Sequence, residues 1–553
     1  MKHVKQLLSA LLVLAVVLSL LPAGVLKASA AEAPAALDIG YPTFKNTELL
    51  DEVYDLSKLG VSYSEKDIMM AIYKQDLANG GDSFYMDRIL AREGVCSGNA
   101  GSNGNADGNT FLTRGRALYM YTSSPSVIGF GGNTAYHQPL GRGDLVRVLF
   151  SNADGSLTTK EDTSKRVNAP SNWSSTYSVG SNLTLDVVKF IHQENVAVTT
   201  MTLTNKSAED QAITVAADST FATEPGKVTD NGAEQTELTG TCSSPAGLTT
   251  IYARMTGDGF EAASSDDYCW LSRDVTVPAG GSVELKVVIA FTTEEIPEST
   301  EQYLRFAGLG NLEAVRAQKA EYNLYWAENL PYIDVPKKAV QKAIDYRWWL
   351  ERFNSLDANI PGYDYQYPVT IEGVLGYNNA IILTQPMHLQ DTKWLRSPYL
   401  AYGQLLSAGN SSQSSAFLDN PGNRNNWNNH YGQYLAEAGY EAFNVIGGGA
   451  EVAENFAYYF GHDATGQLEH YGNHIEGRDL IAYRNNYMTG NDADTISMHA
   501  PGTGTWKAHG ENAYVWAAAD AAAKLYEQLG NTEQAKYYRD LADKIKADVL
   551  ELM

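Results

Sequence analysis

The chain has three cysteines in 553 residues, no basic block, and no stretch apolar enough to span a membrane after its first thirty residues. Each scarcity excludes something. Cys242 and Cys269 lie close enough in sequence, within one strand-rich region, to form a disulfide in an exported protein, leaving Cys96 over; three unpaired core residues are an equal alternative. No CxxC or His/Cys spacing points to zinc. With 41 Lys+Arg against 65 Asp+Glu, and a net charge of −24, nothing drives general binding to nucleic acid or to an anionic membrane. Ser-nucleophile, phosphate-loop and zinc-protease motifs (G-x-S-x-G, G-x-x-x-x-G-K-[ST], H-E-x-x-H) are missing too.

What is present is a globular chain, 44% hydrophobic and 10% aromatic. Tyr at 34 outnumbers Phe at 15 and is joined by nine Trp, an excess of aromatics with a polar edge that suits a wet, polar ligand. Residues 1–30 read as a secretory leader: Lys2 and Lys5 open it, Leu7 to Leu21 is its apolar stretch, and Ala28-Ser29-Ala30 is a small-residue cleavage site. Loss of its three lysines takes the charge to −27, so the expected product is a secreted, strongly acidic protein with no membrane span.

Residues 31–300 are expected to hold an irregular N-terminal region and a β-sandwich. Alternation of apolar and polar side chains over 183–204, 212–217 and 283–291, with turn clusters such as Pro278-Ala279-Gly280-Gly281, predicts short antiparallel strands. The Gly/Asn-rich stretch 97–109 reads as a solvated loop, with Asp107 its candidate for a structural calcium ion; no other cofactor is expected. From about 300 the period becomes helical. A linker helix is expected within 301–335, and helices over 301–328, 336–353, 387–408, 428–445, 449–461 and 466–484. The last pair is the clearest: Val515, Ala518, Ala522, Leu525 and Leu529 form one stripe that Gly530 stops. Asn531 with Gln534 then starts a helix striped by Ala535, Tyr538, Leu541, Ile545 and Val549.

Between these helices lie polar, aromatic loops of the length that usually carries function. Their Asp and Glu residues among Asn, Tyr and Trp are the inventory for glycoside hydrolysis, which needs a protonated carboxylic acid, a second carboxylate and neutral groups for hydroxyls. Glu372, Trp394, Trp427, Asn429, His430, Tyr431 and Glu511 are the candidate substrate contacts. Each has a plainer reading: Glu372 as a surface carboxylate, Trp394 as wall packing, Glu511 as a partner of a helix dipole. Glu351 is expected to pair with Arg347 or Arg352 along its helix. The Asn/His/Tyr set would also suit β-elimination on a uronate, but the basic side chains that such a substrate selects are only scattered.

The run Tyr487-Met488-Thr489-Gly490-Asn491-Asp492-Ala493-Asp494, then His509-Gly510-Glu511-Asn512-Ala513-Tyr514-Val515-Trp516 and an Ala-rich helix ending at Leu529-Gly530-Asn531, resembles the six-hairpin glycosidases. Within these it is most similar to the clan of glycoside hydrolase family 63 and the mannosylglycerate-hydrolase-like enzymes. Glu351 to Asn354, Pro361 to Tyr365, Glu372 to Asn379 and Asp391 to Trp394 resemble the family 121 β-L-arabinobiosidases. The clan resemblance implies a β-sandwich followed by an (α/α)6 toroid, an inverting reaction on a carbohydrate, and an acid in a G-x-D element. Gly490-Asn491-Asp492 matches that element, making Asp492 the expected general acid. Asp494 is the alternative, since Ala493 and Asp494 replace the usual aromatic neighbours. The clan's base comes from later helices. Residues 336–553 are therefore expected to be the first half of a catalytic toroid in a C-terminally truncated chain, with β-L-arabino-oligosaccharides among the candidate substrates. A glycan-binding protein without catalysis and a polysaccharide lyase are the competing classes.

Overall fold

In the computed structural model of the protein, the described residues are 33–39, 68–94, 115, 127–131, 144–221, 224–230, 233–243, 250–265, 268–294, 297–357, 366–371, 380–412, 415–419, 432–472, 475, 477–483, 507–508 and 510–552. The leader, Cys96 and Asp107 lie outside them. Two helices that the sequence did not suggest, α1 (Ile68–Ala78) and α2 (Tyr85–Leu90), come first. Strands follow: β1 (Arg92–Glu93), β2 (Gly129–Gly131), β3 (Asp144–Asn152), β4 (Gly155–Ser156), β5 (Thr159–Asn168), β6 (Trp173–Val179), β7 (Leu183–His192) and β8 (Val196–Asn205). After these come β9 (Gln211–Ser219), β10 (Glu224–Asp230), β11 (Ala233–Ser243), β12 (Thr250–Gly257), β13 (Glu261–Ser265), β14 (Tyr268–Val277) and β15 (Ser282–Thr292).

They form two antiparallel sheets, ordered β1-β5-β6-β7-β8-β15-β12-β11-β10 and β13-β14-β9-β3-β2, with β4 on β3. Alternate side chains close the space between the sheets: Leu183, Leu185 and Val187 of β7, and Leu285, Val287 and Ile289 of β15, face Ile213, Val215 and Ala217 of β9. The central strands are buried on their other face as well. Helices α3 (Pro297–Gly308) and α4 (Asn311–Asn329) lay Tyr303, Phe306, Ala314 and Ala317 over Phe190, Val196, Val198, Val288 and Ala290. A strand covered on both sides has no polar face to keep, which is why 287–291 is an unbroken apolar run. Cys242 on β11 and Cys269 on β14 are free thiols, so the disulfide that their spacing allowed is not formed; burial pushes the Cys242 thiol up to about 11.

The helical part contains α5 (Lys338–Phe353), a two-stranded hairpin of β16 (Ser355–Leu356) and β17 (Val369–Thr370), and then α6 (Gln385–Thr392), α7 (Tyr399–Ser412), α8 (Leu435–Ile446) and α9 (Gly449–Tyr471). The chain continues through β18 (Ala482–Tyr483), β19 (Lys507–Ala508), α10 (Asn512–Gln528) and α11 (Thr532–Leu552). Helices α5, α6, α8 and α10 lie side by side as one layer. In the second layer α7, α9 and α11 follow one another: Gly409 of α7 meets the Tyr459 ring, and Gly461 of α9 meets the Tyr538 ring of α11. This is the expected sandwich followed by α/α layers of the toroid type.

Several expected boundaries move. One helix over 301–328 becomes α3 and α4, divided at Gly310, and 387–408 becomes α6 and α7, divided before Pro398. The two helices over 449–461 and 466–484 are instead the single α9, ending at Tyr471. Its glycines are contact points, not breaks: a Cβ at Gly466 would lie 2.2 Å from the backbone nitrogen of Ala416. The final hairpin is as expected. Val515, Ala518, Ala522 and Leu525 are buried, Gly530 turns the chain at φ +74°, and the Gln534 N–H donates to Asn531 Oδ1 at 3.2 Å.

Candidate functional site

Helices α6, α8 and α10 start at the same end of their layer, and side chains lock the starts together. The Ile382 N–H, just ahead of α6, donates to the Asp419 carboxylate at 2.8 Å. Just ahead of α8, the Gln433 amide donates to both oxygens of Asp463 at 3.2 and 3.0 Å, and the Phe417 N–H reaches the same carboxylate at 2.8 Å. The first residue of α10, Asn512, accepts the Ile481 N–H at 2.7 Å and donates to the Ile481 carbonyl at 2.9 Å. Tyr434 before α8 and Tyr514 in the first turn of α10 have ring centroids 5.5 Å apart. Farther along, Gln390 of α6 and Lys393 beyond it both donate to Glu441 of α8 at 2.8 Å, so the helices run in the same direction.

The described residues at this end flank three of the polar segments. Ile371 and Ala380 bound 372–379, Asp419 and Gly432 bound 420–431, and Tyr483 and Lys507, paired in the β18–β19 ladder, bound 484–506. Glu372 belongs to the first segment, Trp427, Asn429, His430 and Tyr431 to the second, and Asp492 and Asp494 to the third; all seven lie outside the described residues. Glu511 is described, as the N-cap residue of α10 at this same end. Trp394 stands two residues past the C-terminal end of α6, with 53% of its surface exposed and the Lys393 ammonium 5.5 Å from its ring centroid.

The electrostatics here are carboxylate-dominated. Burial raises the Tyr434 and Tyr514 hydroxyls above the usual tyrosine value. The neighbouring ring and the Glu437 and Glu441 charges add to this at Tyr434, and Glu511 and Glu437 add to it at Tyr514. Hydrogen bonds from Lys393 and then Gln390 hold Glu441 below its ordinary value. Asp463 goes the other way: burial lifts it to about 7 against the three hydrogen bonds that it accepts from Phe417 and Gln433.

Glu351 pairs with neither expected arginine. Arg347 takes Asp391 in a fork at 3.1 and 2.6 Å, and Arg352 turns away to Gln193 at 3.0 Å with its guanidinium 3.8 Å from the Tyr325 ring centroid. Glu351 instead meets His388 Nδ1 at 2.9 Å. The bracing pair Asp419 and Asp463 escaped the sequence reading as well. A signal existed for one of them: Asp463 falls at helical spacing from Phe456 and Phe460 on the buried stripe of α9, where only a paired or neutral carboxyl survives. Among the described residues no group of three His, Cys, Asp or Glu side chains could hold a metal ion, and no helix is long and apolar enough to cross a membrane.

No protein-family profile matches the sequence. Solved structures similar to it include a protein assigned as a kojibiose phosphorylase from the human microbiome, with TM-score 0.49, 10% identity, and 79% of this chain and 67% of that one covered. A family GH92 inverting mannosidase of Bacteroides thetaiotaomicron VPI-5482 gives 0.45, 14%, 82% and 64%, and a bacterial glucoamylase complexed with acarbose gives 0.42, 10%, 83% and 68%. The chain thus spans about two thirds of the length of each of these structures.

Proposed function

We propose that this protein is a secreted glycoside hydrolase that cleaves O-glycosidic bonds of an extracellular oligo- or polysaccharide, β-L-arabino-oligosaccharides among them, with inversion. The observation that supports this best is the shared end of α6, α8 and α10. The polar segments 372–379, 420–431 and 484–506, which carry the candidate acids and most of the candidate sugar contacts, are flanked there by described residues, next to Glu511, Tyr434 and Tyr514, while Trp394 stands past the other end of α6. In this reading Asp492 donates its proton to the leaving glycosidic oxygen, with Asp494 the alternative donor. A second carboxylate, roughly 6.5–9.5 Å from that acid, would take a proton from a water on the opposite face of the sugar as the water attacks the anomeric carbon and the protonated leaving oxygen departs. The carboxylates of Glu372 and Glu511 and the polar and aromatic groups of the 427–431 cluster would receive the hydroxyls.

The test is an assay on arabinose-, mannose- and glucose-containing oligosaccharides followed by proton NMR. Release of a reducing sugar with the opposite anomeric configuration, lost in Asp492→Asn, is expected. Undiminished hydrolysis in Asp492→Asn with loss in Asp494→Asn would transfer the acid role to Asp494. Unsaturated, ultraviolet-absorbing products would replace hydrolysis by elimination.

A further inference from the structure

Helices α3 and α4 cover one side of the sandwich. On the opposite side, the outer face of β13, β14, β9 and β3 keeps solvent contact: Leu149 is 46% exposed, and Glu261 and Asp274 are exposed as well. Strand alternation decides which side chains stand there. Leu271 and Val275 of β14, Val215 and Ala217 of β9, and Val148 and Phe150 of β3 belong to the core, so the residues between them point outward. The antiparallel register then sets three outward residues side by side, Trp270 opposite Asp218 and Asp218 opposite Arg147. The next row along the strands holds Ser272, Ala216 and Leu149.

The charged pair in the first row is a rigid one. Arg147 Nε and Nη2 donate to the two Asp218 oxygens at 3.2 and 2.7 Å, a fork that fixes the plane of the guanidinium. Asp218 is the floor, with 7% of its side chain exposed, while Arg147 keeps 34%. The Asp218 hydrogen bonds, with the Tyr268 hydroxyl adding to them, hold the guanidinium above its ordinary pKa against partial burial. Trp270, partly exposed, stacks on Tyr268 with ring centroids 5.6 Å apart and planes at 26°. Beside the indole the next row is low, because Ser272 and Ala216 carry short side chains.

A flat aromatic face next to a fixed set of donors and acceptors matches the two surfaces of a sugar ring, its C–H face and its hydroxyl rim. Charge narrows the class. Arg147 and Asp218 cancel, Glu261 and Asp274 add negative charge on the same face, and Arg273 sits at a core-facing position, where it donates to the Asp258 carbonyl. The described part of this face is therefore net negative and repels uronates and phosphates. A second protein fits less well. Leu149 is the one exposed large apolar side chain among the described residues of these four strands, whereas a stable interface buries about 800 Å² per partner around an apolar centre.

We propose that Trp270, Arg147 and Asp218 form a carbohydrate-binding surface on the sandwich, where a neutral sugar ring lies on the indole and its hydroxyls reach the guanidinium–carboxylate pair. No residue of the shared helical end takes part in it, so the surface holds a glycan independently of the proposed hydrolysis.

The test reads binding at Trp270 itself and does not depend on turnover. Full-length protein labelled with 15N-tryptophan is titrated with neutral arabinose-, mannose- and glucose-based oligosaccharides and with oligogalacturonate. A neutral oligosaccharide is expected to shift the indole resonance that is missing from Trp270→Ala. Arg147→Lys, which keeps the charge and loses the planar fork, should weaken the dissociation constant read at that resonance at least tenfold. Should Arg147→Lys fail to fold, judged by its thermal transition, Trp270→Ala followed by calorimetry carries the test, with the same tenfold loss expected. The surface is overturned if no neutral sugar moves the resonance, or if folded Arg147→Lys binds as the wild type does. Equal binding of oligogalacturonate would overturn it too. So would an indole resonance that moves with protein concentration alone, which would assign the face to a second copy of the chain.

Discussion

Asp463→Asn exchanges a carboxyl for an amide of nearly the same shape at the joint between α8, α9 and the chain at Phe417. In the wild type the folded protein holds the Asp463 proton up to about pH 7, whereas an unfolded chain releases it near the ordinary aspartate value of 3.8. A group raised in this way stabilises the fold most when it is protonated, so its contribution declines as pH rises through that window and levels off above it. At about 1.4 kcal/mol per pH unit, the wild type should lose roughly 2–3 kcal/mol between pH 5 and pH 8 from this residue alone. In Asp463→Asn that loss should vanish. Urea unfolding followed by helical circular dichroism, for both proteins across that range, measures the difference between the two slopes. Parallel slopes would refute the reasoning. A wild type that gains stability relative to the variant as pH rises would refute it more instructively. It would mean that the three N–H donors from Phe417 and Gln433 outweigh burial and that the carboxylate is held ionised.

Other perturbations follow from single contacts. Gly466→Ala should destabilise by about 2 kcal/mol or more, despite alanine's better helix propensity, because its Cβ would lie 2.2 Å from the Ala416 nitrogen; an unchanged melting temperature would contradict that packing. Glu161→Gln leaves the buried Arg166, now gripped at 2.8 and 2.6 Å, without its counter-charge, and should cost about 3–5 kcal/mol in chemical denaturation. Trp394→Ala should shift stability by less than about 0.5 kcal/mol, since the indole is half in solvent; a larger loss would assign it to packing.

The parts of the fold that were legible are those whose signal is local. The α10–α11 hairpin carries its stripe, its stop at Gly530 and its cap at Asn531 within forty residues of sequence, and the sandwich strands alternate wherever one face meets solvent. What was not legible depends on partners far along the chain. The single helix α9 was expected as two, over 449–461 and 466–484, and the Tyr538 ring and the Ala416 backbone that press on Gly461 and Gly466 within it are distant in sequence. Glu351 offered two arginines on its own helix, but His388 and Asp391 of α6 take Glu351 and Arg347, and Gln193 takes Arg352. For the site, residue types were readable but convergence was not. Nothing in the sequence says that Asp419 and Asp463, which perform no chemistry in the proposed reaction, bring the candidate segments to one end.

The β18–β19 ladder and the Asn512–Ile481 pair have a consequence for how such a protein can change. They close the chain at the base of residues 484–506, as Asp463 closes it at the base of 420–431. With the base shut, doubling a loop adds only about 0.6 kcal/mol of closure entropy. The helices bear little of that load. On the proposed hydrolase reading, either segment could then be replaced whole, in length as well as in sequence, to change the sugar preferred without redesigning the scaffold that anchors it.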